Sequence, residues 1–203
     1  MKLFITPGSP YAGIVRMMIL EKGPGSRVEI IAAQTRRTDS AYYRINPSGR
    51  VPYLLRHDGV GLEESALICA YLDSLDGNPK FNLPQGNEGW EARRLGDLAR
   101  SMLDGLAVWL REVARPQNER SPTIIAHEAS LSKRMADIWE LEIANPWMCA
   151  AVNLEQITLA CALGLETRIP EFQWRARHPS LCGWFERIAD RPSYAATAPE
   201  ASL

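Results

Sequence analysis

The pair Val51-Pro52 stands at the mouth of a short apolar stretch, 53–56, that has the pattern of a β-strand. Proline has no N–H to give to a sheet ladder, so it is unusual at this place. A cis peptide bond would explain the choice, because cis prolines occur in tight turns. Such a turn can leave the N–H and C=O of the preceding residue facing outward. We therefore expect a cis Val51–Pro52 bond beside which the backbone of a small peptide can lie.

A second polar signal begins twelve residues after Pro52. Glu64 and Ser65 follow a short apolar segment, 60–62, after one intervening glutamate, and they stand at the start of a helical pattern that runs to about Leu75. A carboxylate can bind an ammonium group, while a hydroxyl at a helix N-terminus can bind a carboxylate. These two residues are therefore candidates for holding the two charged ends of a peptide ligand, although a plain helix cap is the simpler interpretation.

The first part of the chain alternates strand and helix patterns. Its first helix is expected to begin at Ser9 and to stop at Gly23-Pro24-Gly25, because Ser9 can cap it and Pro10 fits its first turn. The Asp58-Gly59 turn predicts a hairpin. The order β-α-β followed by β-β-α predicts a small mixed sheet flanked by helices. The strands are expected at 2–6, 28–31, 53–56 and 60–62.

The pattern changes after a stretch that is rich in Gly, Pro and Asn. Residues 77–89 are the best linker candidate. Beyond them only helical periods remain, including an almost wholly apolar segment, 153–163, in which Asn153 and Gln156 can form a capping box. We therefore predict an α/β domain over 1–76, a linker over 77–89 and an all-helical domain over 90–203.

Composition and charge narrow the class of partner. The chain has 203 residues, 46% of them hydrophobic, and a net charge of −1. This balance favours neither nucleic acid nor an anionic membrane, and no apolar run approaches the roughly 20 residues of a membrane span. Its four cysteines and three histidines lack metal-ligand spacing. We expect no metal, inert thiols and a cytoplasmic location.

Five short motifs, taken in order, resemble the cytosolic glutathione S-transferase family over nearly the whole chain. In the first domain Asn46-Pro47-Ser48-Gly49-Arg50-Val51-Pro52 resembles the family's N-P-x-G-[KR]-V-P segment. The resemblance implies a thioredoxin-like domain, an all-α bundle and a homodimer, and the serine suggests the bacterial, serine-type members. The other four motifs begin at Ser9, Glu64, Asn153 and His178.

What the resemblance implies is a chemistry that the residues also support. Glutathione reacts as its thiolate, and Ser9 is placed to donate a hydrogen bond to that sulfur beside a helix N-terminus that favours an anion. A plain N-cap is the alternative role for Ser9, and one hydroxyl would have to serve both sulfur and helix. Tyr11 is the other candidate hydroxyl. No cysteine lies near the helix entry, which argues against thiol–disulfide exchange.

The remaining site predictions follow from the same resemblance. Val51 and Pro52 are expected to bind the cysteinyl unit through the Val51 backbone, and Glu64 with Ser65 the γ-glutamyl end. Arg50 is a candidate for the glycyl carboxylate, as are Arg36 and Arg37. A pocket for a hydrophobic electrophile is expected between the domains, with possible walls from one helix, although a stripe at this spacing is more often core. Those wall residues are Met102, Leu106 and Trp109.

Two functions fit this sequence. The first is a detoxifying enzyme that adds the sulfur of glutathione to an electrophilic carbon or uses it to reduce a peroxide. The second is a non-catalytic module on the same fold that binds glutathione, a hydrophobic ligand or another protein. Fold alone does not decide between them. The joint presence of Ser9, Val51-Pro52 and Glu64-Ser65 favours the enzyme.

Overall fold

The computed structural model describes residues 1–23 and 28–198. The chain divides into two compact units, 1–82 and 83–203. The first unit contains the predicted β-α-β and β-β-α order, and every regular element in the described part of the second unit is a helix. The predicted fold class is therefore confirmed.

The first unit is built on a four-stranded sheet. Its elements are β1 (Lys2–Ile5), α1 (Pro10–Lys22), β2 (Glu29–Ala32), a 3₁₀ turn (Ala41–Arg44), β3 (Tyr53–Leu55), β4 (Gly61–Leu62) and α2 (Ser65–Ser74). The strand order is β2-β1-β3-β4. The first pair, β1 with β2, is parallel, and the other two pairs are antiparallel. α1 packs against α2.

Both ends of α1 follow the local signals in the sequence. Ser9 is the N-cap and Pro10 occupies the first turn. Gly23 ends the helix with a φ of 97°, a left-handed conformation that glycine adopts without steric cost. The predicted continuation of this stop, Pro24-Gly25, lies outside the described residues.

A buried ion pair joins α1 to α2. The Lys22 ammonium lies 2.9 Å from the Asp73 carboxylate, and both side chains are almost fully buried. The same carboxylate accepts hydrogen bonds from the backbone N–H groups of Lys80 and Phe81. Because a buried charge is costly without partners, this cluster holds the C-terminal ends of both helices and the chain that follows them.

The second unit is helical around one long central helix. α3 (Gly86–Val113) packs on α4 (Pro122–Glu142) and on α6 (Leu154–Leu163). The shorter helices are α5 (Pro146–Cys149), α7 (Pro179–Ala189) and α8 (Pro192–Ala195), and 3₁₀ turns cover Gln117–Glu119, Gly164–Thr167 and Arg175–Arg177. Among the described helices, none is long and apolar enough to cross a membrane.

The linker predicted at 77–89 is shorter in the structure. α3 begins at Gly86, so residues 86–89 form its first turn. Gly and Asn are poor helix formers, which is why composition assigns these residues to a loop. Gln85 precedes the helix without a side-chain cap.

Candidate functional site

The register of the sheet brings three predicted segments to one edge. β1 and β3 are antiparallel with Phe4 opposite Tyr53, so the end of β1 lies beside the start of β3. β3 and β4 are also antiparallel with Leu54 opposite Leu62, so β4 ends at the same edge. The segments that follow β1, precede β3 and follow β4 therefore meet the sheet at the same edge. The predicted site residues in these segments are Ser9, Val51-Pro52 and Glu64-Ser65.

Ser9 uses only part of its hydrogen-bonding capacity in capping α1. Its side-chain oxygen accepts a hydrogen bond from the Ala12 N–H at 3.3 Å. A serine hydroxyl has one donor proton as well as two lone pairs. Within the ranges 1–23 and 28–198, that proton has no acceptor. The predicted conflict between cap and catalyst is therefore absent, because the cap uses a lone pair and a thiolate would use the proton.

Tyr11 is the second residue of α1 and is half-buried. It lies two residues after the Ser9 cap. Both residues lie at the same end of the helix.

The Val51–Pro52 peptide bond is cis, as the sequence predicts. Pro52 is buried and Val51 is half-buried. Neither the N–H nor the C=O of Val51 makes a hydrogen bond to any residue that the structure describes. Because backbone polar groups in folded proteins are nearly always paired, this residue presents a donor and an acceptor to a ligand or to water.

The loop before Val51 is shaped by a glycine. Gly49 has a φ of 68°, and a Cβ built on it would lie 2.7 Å from the ring of Tyr43. Both the conformation and the space require glycine here. Arg50 follows with an exposed side chain, so its guanidinium is open to a carboxylate.

The start of α2 is the third part of the site. Glu64 precedes the helix with an exposed side chain that forms no cap hydrogen bond, and its φ is 68°. A non-glycine residue in this region is strained, and such strain concentrates at functional sites. Ser65 is buried. The backbone N–H groups of Ala66 and Leu67 have no partner in the part of the chain that is described.

The three predicted wall residues lie on α3 in the second unit. Met102 and Leu106 are 0% exposed, and Trp109 is 3% exposed with its ring 6.3 Å from that of Phe172. They belong to the core of the helical unit here. A role in binding an electrophile stays a prediction.

A polar network that no sequence motif predicts supports the loop. Tyr42, Asn46 and Ser48 make hydrogen bonds to the backbone of Arg50, and the Ser48 hydroxyl donates to the Glu63 carboxylate. The sequence offered no clear signal for Tyr42, because a tyrosine before an Asn-Pro turn is equally compatible with simple core packing.

Comparisons with known proteins agree with this geometry. A family model described as "Glutathione S-transferase, N-terminal domain" matches residues 3–80. Glutathione S-transferase 2 of Saccharomyces cerevisiae is 33% identical over 95% of this chain and 87% of its own length. This chain belongs to the glutathione S-transferase family. The family predicted from the motifs is thereby confirmed.

Two further similar proteins show how far the likeness extends. The uncharacterized GST-like protein YibF of Escherichia coli is 28% identical over 98% of both chains. A crystal structure of a glutathione transferase family member from Pseudomonas fluorescens Pf-5, solved with bound glutathione, is 32% identical and superposes with a TM-score of 0.88 over 98% of both chains.

Proposed function

We propose that this protein is a glutathione transferase in which Ser9 stabilises the glutathione thiolate for attack on an electrophile. One observation carries the proposal: an uncommitted hydroxyl proton, an unpaired backbone donor and acceptor, and an uncapped helix start share one sheet edge. The family member from Pseudomonas fluorescens that binds glutathione supports the choice of ligand.

Two modest effects are enough to ionise the thiol. A free thiol has a pKa of about 8.5, and lowering it by about two units needs roughly 2.7 kcal/mol of selective stabilisation. A hydrogen bond to a charged partner contributes about 1.5–3 kcal/mol. The N-terminus of α1 adds a favourable dipole. Ser9 keeps its proton throughout and acts as a hydrogen-bond donor, while the proton of the thiol leaves to solvent.

The rest of the site fits the tripeptide along its length. The Val51 N–H and C=O would pair with the cysteinyl unit. Glu64 would bind the γ-glutamyl ammonium, and Ser65 with the N-terminus of α2 would bind its α-carboxylate. The exposed Arg50, next to Val51 in sequence, is the candidate for the glycyl carboxylate, with Arg36 and Arg37 as the alternatives.

The chemical step needs few protein groups beyond the bound thiolate and the Ser9 hydroxyl. With an aryl halide, the thiolate forms a carbon–sulfur bond and the halide leaves with the bonding electron pair. With a peroxide, the thiolate forms a sulfur–oxygen bond as the oxygen–oxygen bond breaks, and the departing alkoxide takes a proton from solvent and leaves as the alcohol. A second glutathione then reacts with the resulting sulfenic acid to give the disulfide and water. In both cases Ser9 lowers the energy of the attacking anion, and the electrophile decides the product.

The test combines retention and turnover. Wild type and Ser9→Ala are passed over immobilised glutathione and then assayed with 1-chloro-2,4-dinitrobenzene. We expect both to be retained and the variant to lose most of its activity near neutral pH. If both proteins are retained and neither shows turnover, the protein is a non-catalytic glutathione-binding module. If wild type is not retained on immobilised glutathione, the proposal is overturned.

We also propose a detoxifying role, a cytoplasmic location and a homodimer. All four cysteines are free thiols, which suits a reducing compartment. The dimer rests on family membership and on exposed apolar side chains in the first unit, among them Val60 and Leu67. Light scattering should give twice the chain mass; a single-chain mass at micromolar concentration would contradict the dimer.

A further inference from the structure

Two buried polar side chains converge on one backbone carbonyl just before the proposed ligand-binding strand. The Tyr42 hydroxyl donates to the Arg50 C=O at 2.5 Å, and the Asn46 amide nitrogen donates to the same oxygen at 3.1 Å. Tyr42 is 5% exposed and Asn46 is 2% exposed. Both donors are therefore inside the first unit, so the Arg50 carbonyl points inward.

The backbone N–H of Arg50 is fixed as well. This N–H donates a hydrogen bond to the Ser48 hydroxyl oxygen at 3.2 Å. That hydroxyl donates in turn to the Glu63 carboxylate, and the Ser48 N–H donates to the Asn46 side-chain oxygen at 3.2 Å. The backbone of Arg50 is thus fixed on both sides by a connected set of hydrogen bonds.

Fixing the Arg50 carbonyl also fixes the Val51 N–H. The two groups belong to one peptide unit, which is trans, since Val51–Pro52 is the cis bond of the described chain. A trans peptide is planar, and its C=O and N–H point in opposite directions. An inward carbonyl therefore turns the Val51 N–H away from Tyr42 and Asn46. That N–H has no partner among the described residues.

We propose that Tyr42 and Asn46 are positioning residues that aim the Val51 N–H at the cysteinyl carbonyl of glutathione. The inference rests on the proposed function, because it takes glutathione as the ligand. Tyr42 touches no part of the ligand and acts only through the Arg50–Val51 peptide. The gain is preorganisation: the donor is already oriented before the tripeptide arrives.

Tyr42 is suited to this task at any pH at which the enzyme works. Burial raises the pKa of its phenol, against a smaller lowering by Asn46, so the hydroxyl keeps its proton and remains a donor. The neighbouring Tyr43 is half-buried and packs its ring beside Gly49. Its hydroxyl makes no hydrogen bond within the described residues, so it provides a matched control.

The experiment compares two ligands that differ at the proposed acceptor. Glutathione carries the cysteinyl carbonyl, whereas γ-glutamylcysteamine lacks this carbonyl together with the glycyl unit and keeps the γ-glutamyl end and the thiol. Calorimetric titration, or displacement where binding is weak, gives the Kd of each ligand for wild type, Tyr42→Phe and Tyr43→Phe. We expect Tyr42→Phe to raise the Kd of glutathione about three- to tenfold, which corresponds to the contribution of one hydrogen bond. The Kd of γ-glutamylcysteamine should stay unchanged, and Tyr43→Phe should affect neither.

A second variant keeps the test open if Tyr42→Phe folds poorly. Asn46→Asp removes the other donor to the Arg50 carbonyl and keeps an oxygen for the Ser48 N–H, so the same selective loss is expected. Equal losses for both ligands, or no loss for either, would overturn the inference alone. Failure of wild type to bind glutathione would overturn the proposed function together with it.

Discussion

Ser9→Ala removes one hydroxyl and should change the pH dependence of the reaction more than its maximal rate. In wild type we expect the bound thiol to have a pKa of about 6.5, two units below a free thiol. The hydroxyl contributes about 1.5–2 kcal/mol to this shift, or roughly 1.1–1.5 units. The N-terminus of α1 remains in the variant, so its pKa should rise only to about 7.8 rather than to about 8.5.

These values give a rate loss that depends on pH. At pH 6.5 the thiolate fraction falls from about half to about 5%, a loss of roughly tenfold. Near pH 9 both proteins hold almost entirely thiolate and their rates should converge. The assay is kcat/KM for 1-chloro-2,4-dinitrobenzene at saturating glutathione across this range, with the thiolate absorbance of the binary complex as an independent reading of the same pKa.

The loss of the helix cap must be separated from the loss of the catalyst. Ser121 offers a matched control, since its hydroxyl caps α4 by accepting the Ile124 N–H at 3.3 Å, and a proline follows it as one follows Ser9. Each Ala variant should lose about 1 kcal/mol of stability, but Ser121→Ala should keep the wild-type pH profile. Ser9→Thr keeps a hydroxyl and should retain most of the activity at low pH.

A rate loss that is the same at every pH would contradict a role of Ser9 in thiol ionisation. If Ser9→Ala lowers the rate equally at pH 6.5 and pH 9, the hydroxyl does not act on thiol ionisation. If the profile of the variant matches that of wild type, another donor performs the role. Tyr11→Phe would then be the next variant to measure.

Two further predictions test the binding end and the helical unit. Glu64→Gly should raise the melting temperature, because glycine adopts the positive φ of this position without strain, and it should also weaken glutathione binding. Glu64→Gln should weaken glutathione binding without raising the melting temperature. An unchanged affinity for glutathione in both variants would exclude Glu64 from the site. Burial raises the pKa of Glu155, against the lowering effect of its hydrogen bond from Trp147. The folded state therefore favours the protonated carboxyl, and the stability that this form contributes is lost as pH rises. Glu155→Gln should therefore be more stable than wild type above about pH 4, the ordinary pKa of a glutamate. Urea unfolding measures the difference, and a gap that does not widen as pH rises would contradict this.

The three segments at this edge of the sheet could be predicted because short local sequence signals determine the structure of each one. A serine before a proline marks the start of α1, and Val51-Pro52 marks a special turn before β3. The β-α-β and β-β-α order then fixes which strand ends meet. These signals act over a few residues, so they can be read without knowing the tertiary structure.

The second unit shows where local signals stop being sufficient. Asn145-Pro146 has the sequence pattern of a helix end, but α4 already ends at Glu142, and Asn145 instead caps α5 by accepting the Trp147 N–H at 2.9 Å. A capping residue has the same appearance in sequence whether it closes one helix or opens the next.

The predicted capping box of α6 was half correct. The Asn153 side chain accepts the Gln156 N–H at 2.9 Å, as predicted. The Gln156 amide does not return to Asn153; it donates to the backbone carbonyls of Trp147 and Ala150 at 3.1 and 3.3 Å. The position of α5 supplies these acceptors, and that position depends on tertiary packing that the motif does not contain.

The network around Arg50 was missed for the same reason. Tyr42 and Arg50 are eight residues apart, and their hydrogen bond forms only because the 3₁₀ turn and the following loop fold back on each other. A sequence pattern shows that a tyrosine is present but does not show which carbonyl its hydroxyl will reach.

The most direct test of the account is a crystal structure of this protein with glutathione. We predict that the Ser9 hydroxyl lies about 3–3.5 Å from the sulfur and that the Val51 N–H lies about 2.9 Å from the cysteinyl carbonyl oxygen. A complex in which the sulfur points away from the N-terminus of α1, or in which glutathione does not contact Val51, would contradict the account.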